Sequence, residues 1–418
     1  MAVPQVKQKV FRGSDFSAPP PMDPNVIRAH ARSLSEQLQA QRLRSAAPDS
    51  KKTLRKFSSG EVAKLLGVTD AYLRQIALDG KGPKPEVMLN GRRMYSLEEI
   101  HALRAFLSEN AKSGRQYLKH RSGDEHLQII SCINFKGGSA KTTTAAHLAQ
   151  YLALNGYRVL AIDLDPQASL TALHGCQPEL EVKDNETIYG AIRYDAEAAT
   201  HPRDIIRKTY IAGLDLVPGN LELMEFEHET PAALAARKVN GATADDTLMF
   251  FERLGAAIDE VADDYDVVAI DCPPQLGFLT MSALSASTSL LITVHPQMLD
   301  VMSMCQFLNM TADTLDVVKD AGANVTFNWA RYLITRYEPN DVPQQQMVGF
   351  MRQMFGDYVC KNPMIKSTAI SDAGVRKQTI YEVPRENFSK ATYDRAVDAM
   401  NTVNSEIEDL IKKAWGRE

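Results

Sequence analysis

Residues 136–143 read Lys-Gly-Gly-Ser-Ala-Lys-Thr-Thr, so eight positions hold two lysines, two glycines and three hydroxyl side chains. An apolar run, 127–133, precedes them and is typical of a buried strand, while 144–152 is typical of a helix. A glycine-containing turn between a strand and a helix directs backbone N–H groups and a helix N-terminus at one point, which favours phosphate binding. The octet therefore predicts a phosphate-binding loop.

We predict a nucleotide-binding role for individual residues of this loop. Lys141 stands where such a loop places the lysine that reaches β- and γ-phosphate oxygens, and Thr142 offers a hydroxyl to Mg²⁺. Gly137 and Gly138 let the backbone approach the phosphates without a side-chain collision. We predict that ATP or ADP contacts the whole octet: Lys136, Gly137, Gly138, Ser139, Ala140, Lys141, Thr142 and Thr143.

The octet departs from the strict phosphate-loop pattern. That pattern needs glycines six residues and one residue before its lysine, and this chain has Phe135 and Ala140 there. The N–H of Ala140 remains available to phosphate, and Lys136 adds a second cation at the mouth of the loop. Cations delivered in cis or in trans stabilise a transferring phosphoryl group, so a Lys136 supplied by a partner would make hydrolysis depend on dimerisation. The alternative is that Lys136 only supports the fold of its own subunit.

Carboxylates end two further apolar runs. Asp163 and Asp165 follow 159–162, and Asp271 ends 267–271 and is followed by Cys-Pro-Pro. In an open parallel sheet, ligands bind beyond the carboxyl ends of the strands. We predict that Asp163 and Asp271 help to hold Mg²⁺, that Asp165 orients or activates the attacking water, and that Pro273 lies in a loop sensitive to the γ-phosphate. Alternatively, these residues only cap or end ordinary turns.

The front of the chain is basic and the rest is acidic. Residues 1–120 hold 21 Lys and Arg against 11 Asp and Glu, and the remainder holds 26 against 41. This charge asymmetry favours contact of the N-terminal 120 residues with a polyanion, although a solvated basic surface explains it equally well.

Two segments precede the first predicted domain. Residues 1–22 contain prolines without an apolar period, which predicts a flexible tail. For 23–50 we predict a helix that starts at Asp23-Pro24, since a carboxylate cap followed by proline is a helix start. That helix packs on its own body or pairs with a second copy through a stripe of apolar side chains, Ile27, Ala31, Leu34 and Leu38.

Residues 51–120 predict a small helical domain. A capping box at Ser58 opens a helix over 61–66, Gly67 ends it, and Thr69 caps a second helix over 70–78. Another capping box, at Ser96, opens a helix over 97–107. Two helices joined by so short a turn are typical of a helix-turn-helix, whose second helix can enter a major groove.

A basic hairpin accompanies these helices. Asn90-Gly91 is a strong hairpin signal and is followed by two arginines, which predicts a wing that contacts DNA. An unrelated protein-interaction module remains the alternative. The predicted DNA contacts in this domain are Thr69, Tyr72, Arg74, Arg92 and Arg93.

From residue 125 onward, strand and helix patterns alternate. Most predicted strands are continuous apolar runs, as expected for a parallel sheet covered by helices on both faces. The predicted fold is therefore α/β: a mostly parallel twisted sheet flanked by helices over 125–415, preceded by the small winged helix-turn-helix domain and the N-terminal helix. The predicted strands are 128–134, 158–163, 214–218, 266–271, 289–294 and 331–335, and helices include 247–263 and 297–320.

Composition narrows the possible classes. No apolar run of the 418 residues is long enough to span a membrane, and no signal-peptide core stands at the N-terminus. The five cysteines are scattered and never form a Cys-x-x-Cys pair, which argues against structural disulfides, zinc and an iron–sulfur cluster and fits a reducing cytosol.

Several of these motifs together resemble a known family. Residues 136–143, the Asp163-Leu-Asp-Pro-Gln segment and Asp271-Cys-Pro-Pro resemble the deviant-Walker ATPases of the ParA/MinD class, over residues 127–415. Residues 59–68 and 90–96 are similar to a MerR-like winged helix-turn-helix. The combination resembles the larger plasmid-partition ParA proteins, in particular the RepA group of repABC replicons.

The resemblance implies a mechanism. Lys136 matches the signature lysine that reaches the phosphates of a partner subunit in an ATP-bound homodimer, and Asp165 matches the residue that positions the hydrolytic water. Thr335 and Arg336 fall where the family touches the base. The resemblance also implies weak ATPase activity with ATP or ADP and Mg²⁺ as ligands. It further implies a centromere-binding partner of ParB/RepB type, repression of the protein's own operon, and a cytoplasmic location on the nucleoid.

Non-specific DNA binding is a further implied property of the family. Exposed cations would contact phosphates without reading bases, in a salt-sensitive way. On an acidic body such cations are often only solvated. The candidate residues are Lys366, Arg376, Lys377 and Arg395.

Two alternatives to partition make different demands on the sequence. A nucleotide-gated transcription regulator would bind an operator but not random DNA. A MinD-like membrane ATPase would need a basic amphipathic C-terminal helix, and this chain instead has carboxylates there, at Asp398, Glu406, Glu408 and Asp409.

Overall fold

The computed structural model describes residues 23–45, 52–111, 117–134, 136–240, 248–322 and 325–417. The predicted tail, 1–22, and Phe135 lie outside these ranges. The chain divides into two units, Met1–Lys52 and Thr53–Glu418. No helix in the described ranges is long and apolar enough to cross a membrane.

Helix α1, Pro24–Ser45, belongs to the first unit. The Asp23 carboxylate accepts hydrogen bonds from the N–H groups of Asn25 and Val26, each at 2.8 Å, which confirms the predicted cap. Ile27 and Leu34 of the predicted stripe are exposed. Pairing of this helix with a second copy stays a prediction.

The second unit begins with a small helical region, defined here as residues 53–109. Both predicted capping boxes, at Ser58 and Ser96, are present, and Gly67 ends the first helix with φ +63°, which confirms that stop signal. Three short strands form an antiparallel sheet in which the third lies between the other two. The elements are β1 Phe57–Ser58, α2 Ser59–Leu66, α3 Asp70–Leu78, β2 Glu86–Val87, β3 Arg93–Tyr95 and α4 Leu97–Glu109.

The remainder of the unit alternates strands with helices, as predicted. Its strands are β4 Gln128–Ile133, β5 Val159–Asp163, β6 Arg207–Lys208, β7 Leu214–Val217, β8 Val267–Asp271, β9 Ser289–Val294 and β10 Trp329–Ile334. Its helices are α5 Lys141–Leu154, α6 Ser169–Leu173, α7 Pro178–Glu181, α8 Ile188–Ile192, α9 Pro202–Ile205, α10 Leu223–Asn240, α11 Phe250–Asp259, α12 Phe278–Ala286, α13 Met298–Asp320, α14 Val342–Phe355, α15 Thr368–Val375 and α16 Lys390–Ala414.

The large sheet has the strand order β10-β9-β4-β8-β5-β7-β6. Every neighbouring pair is parallel except β6 with β7. This confirms the mostly parallel α/β fold. Sequence analysis missed β6, because two polar residues at a sheet edge leave no apolar run.

The two faces of the sheet pack against different helices. Along β4, Ile130 and Cys132 belong to one buried cluster, and Ile129 and Ile133 belong to the other, as the two-residue period of a strand requires. The first cluster continues through α5 and α16 into the small helical region, and the second covers α11, α12 and α13. The small helical region and the large sheet therefore share one apolar core.

The guanidinium group of one arginine helps to join the small helical region to the phosphate-loop helix. Arg104, on α4, is buried and donates to the carbonyl oxygens of Leu65 (3.0 Å), Leu154 (3.4 Å) and Tyr117 (3.3 Å). Leu65 lies in the last turn of α2 and Leu154 ends α5, so one cation sits at the negative ends of two helices. Burial lowers the pKa of Arg104 to about 10. No sequence motif marked this residue.

Candidate functional site at the carboxyl edge of the sheet

The predicted nucleotide residues meet at one edge of the large sheet. The phosphate loop joins β4 to α5, and β8 lies between β4 and β5 in the sheet. Asp163, which ends β5, and Asp271, which ends β8, are direct register partners. The carboxyl ends of these strands thus bring the loop and both carboxylates together, as sequence analysis predicted.

The loop turns into α5 through an alanine in a glycine-like conformation. Ala140 has φ 67° and ψ 29°, in the left-handed region, and Gly138 has φ +78°. A side chain in this region costs roughly 1–2 kcal/mol, which is why the strict pattern places glycine there. Ala140 thus leads directly into the N-terminus of α5, whose first residue is Lys141.

Lys141 is buried at the centre of this edge. Its side chain is only 7% exposed, and its Nζ lies 3.4 Å from the carbonyl oxygen of Lys136. Burial lowers the pKa of Lys141, and the nearby carboxyl groups of Asp271 and Asp165 oppose that shift. A buried ammonium with one long hydrogen bond to the loop is suited to receive phosphate oxygens.

Asp271 is a buried carboxyl group whose two oxygens form no hydrogen bond of regular geometry within the described residues, although the Thr142 hydroxyl lies close enough to interact with it. Burial is the first cause that raises its pKa well above the usual value, and the neighbouring Asp163 adds to it, whereas Thr142 and Lys141 oppose it. A buried carboxyl group without a regular hydrogen bond is suited to bind Mg²⁺. This ion takes one or two protein oxygens and completes its coordination shell with phosphate and water oxygens. The described residues contain no cluster of three His, Cys, Asp or Glu that would hold a metal by itself.

The two carboxylates after β5 have different environments. Asp163 is fully buried, and one of its oxygens accepts from both the N–H (2.8 Å) and the hydroxyl (2.7 Å) of Thr171, on α6. Its other oxygen accepts from the N–H of Asp165 at 3.2 Å. Burial raises the pKa of Asp163 to about 7. Both of its oxygens are therefore engaged within the chain, and the predicted metal role of Asp163 stays a prediction that this geometry does not favour.

Asp165 is half-buried at the wall of the cavity beside the loop, where one oxygen accepts from the N–H of Gln167 at 2.9 Å. Its other oxygen forms no hydrogen bond within the described residues, so it is available to a water or a ligand. This placement agrees with the predicted role in orienting water, which remains to be tested.

The residues after β10 support the loop from beneath. Thr335 is fully buried and its hydroxyl donates to the carbonyl oxygen of Ser139 at 2.9 Å, while Thr293 donates to the Ser139 hydroxyl at 3.0 Å. Arg336 donates to the carbonyl oxygen of Gly138 at 3.2 Å and lines the cavity. Of the predicted base contacts, Arg336 is thus placed to reach a ligand, whereas Thr335 positions the loop.

A cavity of about 780 Å³ opens beside the loop. Pro274 lines it, whereas the predicted Pro273 is buried beneath. Met364, Ser367 and Ser371 also line this wall, and no sequence motif assigned them to it. Residues this far along the chain reach the loop only through the fold, so spacing alone could not have found them.

The cations predicted to bind DNA fall into three places. Lys366 and Lys377 line the cavity beside the loop, and Lys366 pairs with Glu338 at 2.8 Å. Arg376 and Arg395 are exposed elsewhere on the surface.

The third group lies in the small helical region. Thr69 caps α3 by accepting from the N–H of Tyr72 at 3.2 Å. Tyr72, Arg74 and Arg92 are exposed, and Arg93 is half-buried. The predicted wing is present as the β2–β3 hairpin, but nothing in the geometry tests DNA contact.

Lys136, at the mouth of the loop, forms an ion pair with Asp300, in the first turn of α13. The second oxygen of Asp300 lies 3.1 Å from Nδ1 of His295, which directly follows β9. The sequence leaves two roles open for Lys136, contact with a partner's phosphates or support of its own subunit, and in the single chain Lys136 contacts its own subunit.

The fold and the loop geometry define an α/β nucleotide-binding protein of the phosphate-loop class. The family model described as AAA domain matches residues 127–321. "Putative replication protein A" of Rhizobium rhizogenes is 58% identical over 392 residues, covering 94% of this chain and 95% of the relative. Protein SopA of Escherichia coli strain K12 is 30% identical, covering 88% of this chain and 92% of that protein.

A solved structure described as "Partition Protein" has a TM-score of 0.59 and 19% identity, and covers 93% of this chain and all of that one. At this identity the likeness concerns the fold. The identities and coverage of the sequence relatives show that the chain belongs to the ParA-type partition ATPases.

Proposed function

We propose that this protein is a DNA-partition ATPase that binds ATP with Mg²⁺ at the carboxyl edge of its sheet. The observation that carries the proposal is that a buried lysine, Lys141, lies near a buried carboxyl group, Asp271, whose oxygens form no regular hydrogen bond within the described part of the chain. Leaving charged groups buried without partners is costly, so such a pair is expected where a ligand completes it.

Each residue would contribute one part of hydrolysis. The loop N–H groups and Lys141 bind the phosphates, and Thr142 with Asp271 would hold Mg²⁺, which neutralises phosphate charge when it is bound. Asp165 holds the attacking water in line and accepts a hydrogen bond from it. Hydrolysis of ATP to ADP and phosphate would be slow in the single subunit, because the cation at the loop mouth, Lys136, is engaged by its own Asp300.

Dimerisation would complete this site. Lys136 of one subunit reaches the phosphates of the other, so that ATP favours the dimer and hydrolysis releases it. The dimer would bind nucleoid DNA without sequence preference through exposed cations such as Arg376 and Arg395. The protein would therefore act in the cytoplasm, on the nucleoid. A centromere-binding partner of ParB/RepB type would stimulate hydrolysis.

A second function is favoured by one contact. Arg104 binds the ends of both α2 and α5, so the small helical region and the phosphate-loop helix are directly joined. The partition ATPase would also repress its own operon through the helix-turn-helix and the β2–β3 hairpin, and a nucleotide-gated transcription regulator without a segregation role would use the same junction. The two functions differ in one requirement, because only partition requires binding to random DNA.

The test is phosphate release from ATP, measured with and without non-specific DNA and a purified centromere-binding partner. Stimulation by both supports partition. Gel shifts on operator and random DNA, each with ATP, ADP or neither, separate the two functions. Operator binding without ATP-dependent binding to random DNA would leave only the regulator.

A further inference from the structure

The contact between Lys136 and Asp300 places the charge at the loop mouth under the control of a carboxylate in the same subunit. The Lys136 side chain is partly exposed, whereas the Asp300 side chain is 9% exposed. The ammonium group of Lys136 is drawn towards Asp300, so phosphate oxygens of another subunit must compete with this carboxylate for it.

Asp300 itself is fixed in position. It lies in the first turn of α13, where the helix N-terminus favours a carboxylate. His295 approaches its second oxygen from the end of β9 with Nδ1 at 3.1 Å, and burial lowers the pKa of His295. The carboxylate is therefore held from two elements, and Lys136 is the more solvent-exposed member of the pair.

The surface beside this pair is apolar. Met298, Leu299 and Met302 lie in the same first turns of α13 and are exposed. A second subunit that covered these side chains would also reach Lys136. Burial of the apolar surface and release of Lys136 from Asp300 would therefore accompany the same contact.

We infer that Asp300 is a positioning residue that keeps Lys136 in its own subunit until a partner's phosphates displace the carboxylate. The inference rests on the proposed function, because it assumes that Lys136 acts across a dimer. Asp300 thereby raises the protein concentration at which ATP drives dimerisation, and it suppresses hydrolysis in the free subunit.

The test compares Asp300→Asn with a matched control, Asp313→Asn, an exposed position on the same helix. The readouts are ATP turnover as a function of protein concentration, and dimer fraction with ATP by light scattering. Asp300→Asn should lower the concentration for half-maximal turnover about fivefold, the ratio that one partly exposed ion pair contributes. Asp313→Asn should match the wild type, and Asp300→Glu should restore most of the wild-type concentration dependence.

A double variant separates positioning from folding. Turnover is not a readout in the Lys136→Ala background, because hydrolysis depends on that lysine; there Asp300→Asn should leave the dimer fraction with ATP unchanged. A merely structural role of Asp300 would instead appear in thermal unfolding in both backgrounds. An unchanged or higher half-maximal concentration in Asp300→Asn, with the fold intact, overturns the inference. Absence of ATP turnover in the wild type would instead overturn the proposed function.

Discussion

The carboxyl edge of the large sheet and the small helical region both present cations, but they hold them differently. At the edge, Lys141 is buried and Asp271 forms no regular hydrogen bond among the described residues. In the small helical region, Arg74 and Arg92 are exposed to solvent. A buried charge has lost its hydration and needs a partner to restore it, whereas an exposed charge is already stabilised by water.

This difference sets how much each region reveals about its ligand. The edge of the sheet indicates phosphate and Mg²⁺ from its own geometry, because few other ligands satisfy a buried ammonium and a buried carboxylate together. The surface of the small helical region is compatible with DNA and with plain solvation. Substitutions should accordingly have large effects at the edge and small, salt-dependent effects on the exposed face.

The largest effect is expected for Lys141→Ala. Removing a buried cation that stabilises the transferring phosphoryl group should lower ATP turnover by roughly 10²–10³-fold. Steady-state phosphate release measures this, with Lys319→Ala, an exposed lysine on α13, as the control. Turnover of Lys141→Ala at the wild-type rate would show that the loop is not the catalytic site.

Arg104 is buried, unlike the exposed arginines of the small helical region. Arg104→Ala therefore tests what a buried cation contributes there. Its loss leaves three carbonyl oxygens without their donor and should lower the free energy of unfolding by about 3 kcal/mol. Denaturant unfolding followed by circular dichroism measures it. Arg74→Ala, at an exposed site on α3, should change stability by less than about 0.5 kcal/mol.

Lysine should not rescue this position, since it cannot donate in the planar fork that three carbonyls require. If Arg104→Lys were as stable as the wild type, charge alone rather than geometry would hold the junction.

His147, on α5, should make stability depend on pH. It is fully buried, its Nδ1 donates to the Thr143 carbonyl (2.7 Å) and its Nε2 accepts from the Ile380 N–H (3.3 Å). Burial lowers its pKa from 6.5 to about 4. The unfolded chain therefore binds a proton that the folded chain excludes, so this contribution is complete above pH 6.5 and is lost as pH falls towards 4.

The expected slope in that window is up to about 1.4 kcal/mol per pH unit. The free energy of unfolding is compared with that of His147→Gln, which keeps a donor and an acceptor but does not titrate. Shifts from other groups, such as Asp163, occur in both proteins and cancel in the difference. Parallel pH profiles would mean that His147 titrates normally.

The smallest effect is expected for Arg92→Ala on the β2–β3 hairpin. A lost phosphate contact should weaken operator binding a few-fold and reduce the salt dependence of log K by about one. Gel shifts at several salt concentrations check this, with Lys238→Ala, an exposed residue on α10, as the control. An unchanged salt slope would remove the hairpin from the DNA interface.

Local signals in the sequence predicted the fold well. The caps at Ser58, Thr69 and Ser96 located three helix starts to within two residues, because a cap is satisfied by its own neighbours. Apolar runs located six of the seven strands of the large sheet. Strand order and the β6 edge depend on contacts between distant segments, which no local pattern records.

The site was predicted less completely for the same reason. The octet and Asp271 are identified by local pattern and strand ends. The engagement of Asp163 by Thr171, the pairing of Lys136 with Asp300 and the burial of Thr335 beneath Ser139 all depend on tertiary placement. A residue type at a strand end predicts what a side chain can bind, but not which neighbour already binds it.

Ala140 has a consequence for the rate of nucleotide capture. Alanine samples far fewer backbone conformations than glycine, and here it is held in the left-handed region by the start of α5. A loop restricted in this way spends less time in shapes that cannot receive phosphate, so a larger share of encounters with nucleotide meets a competent site. Ala140→Gly would relieve backbone strain yet slow association, since the loop would have to be ordered anew at each encounter.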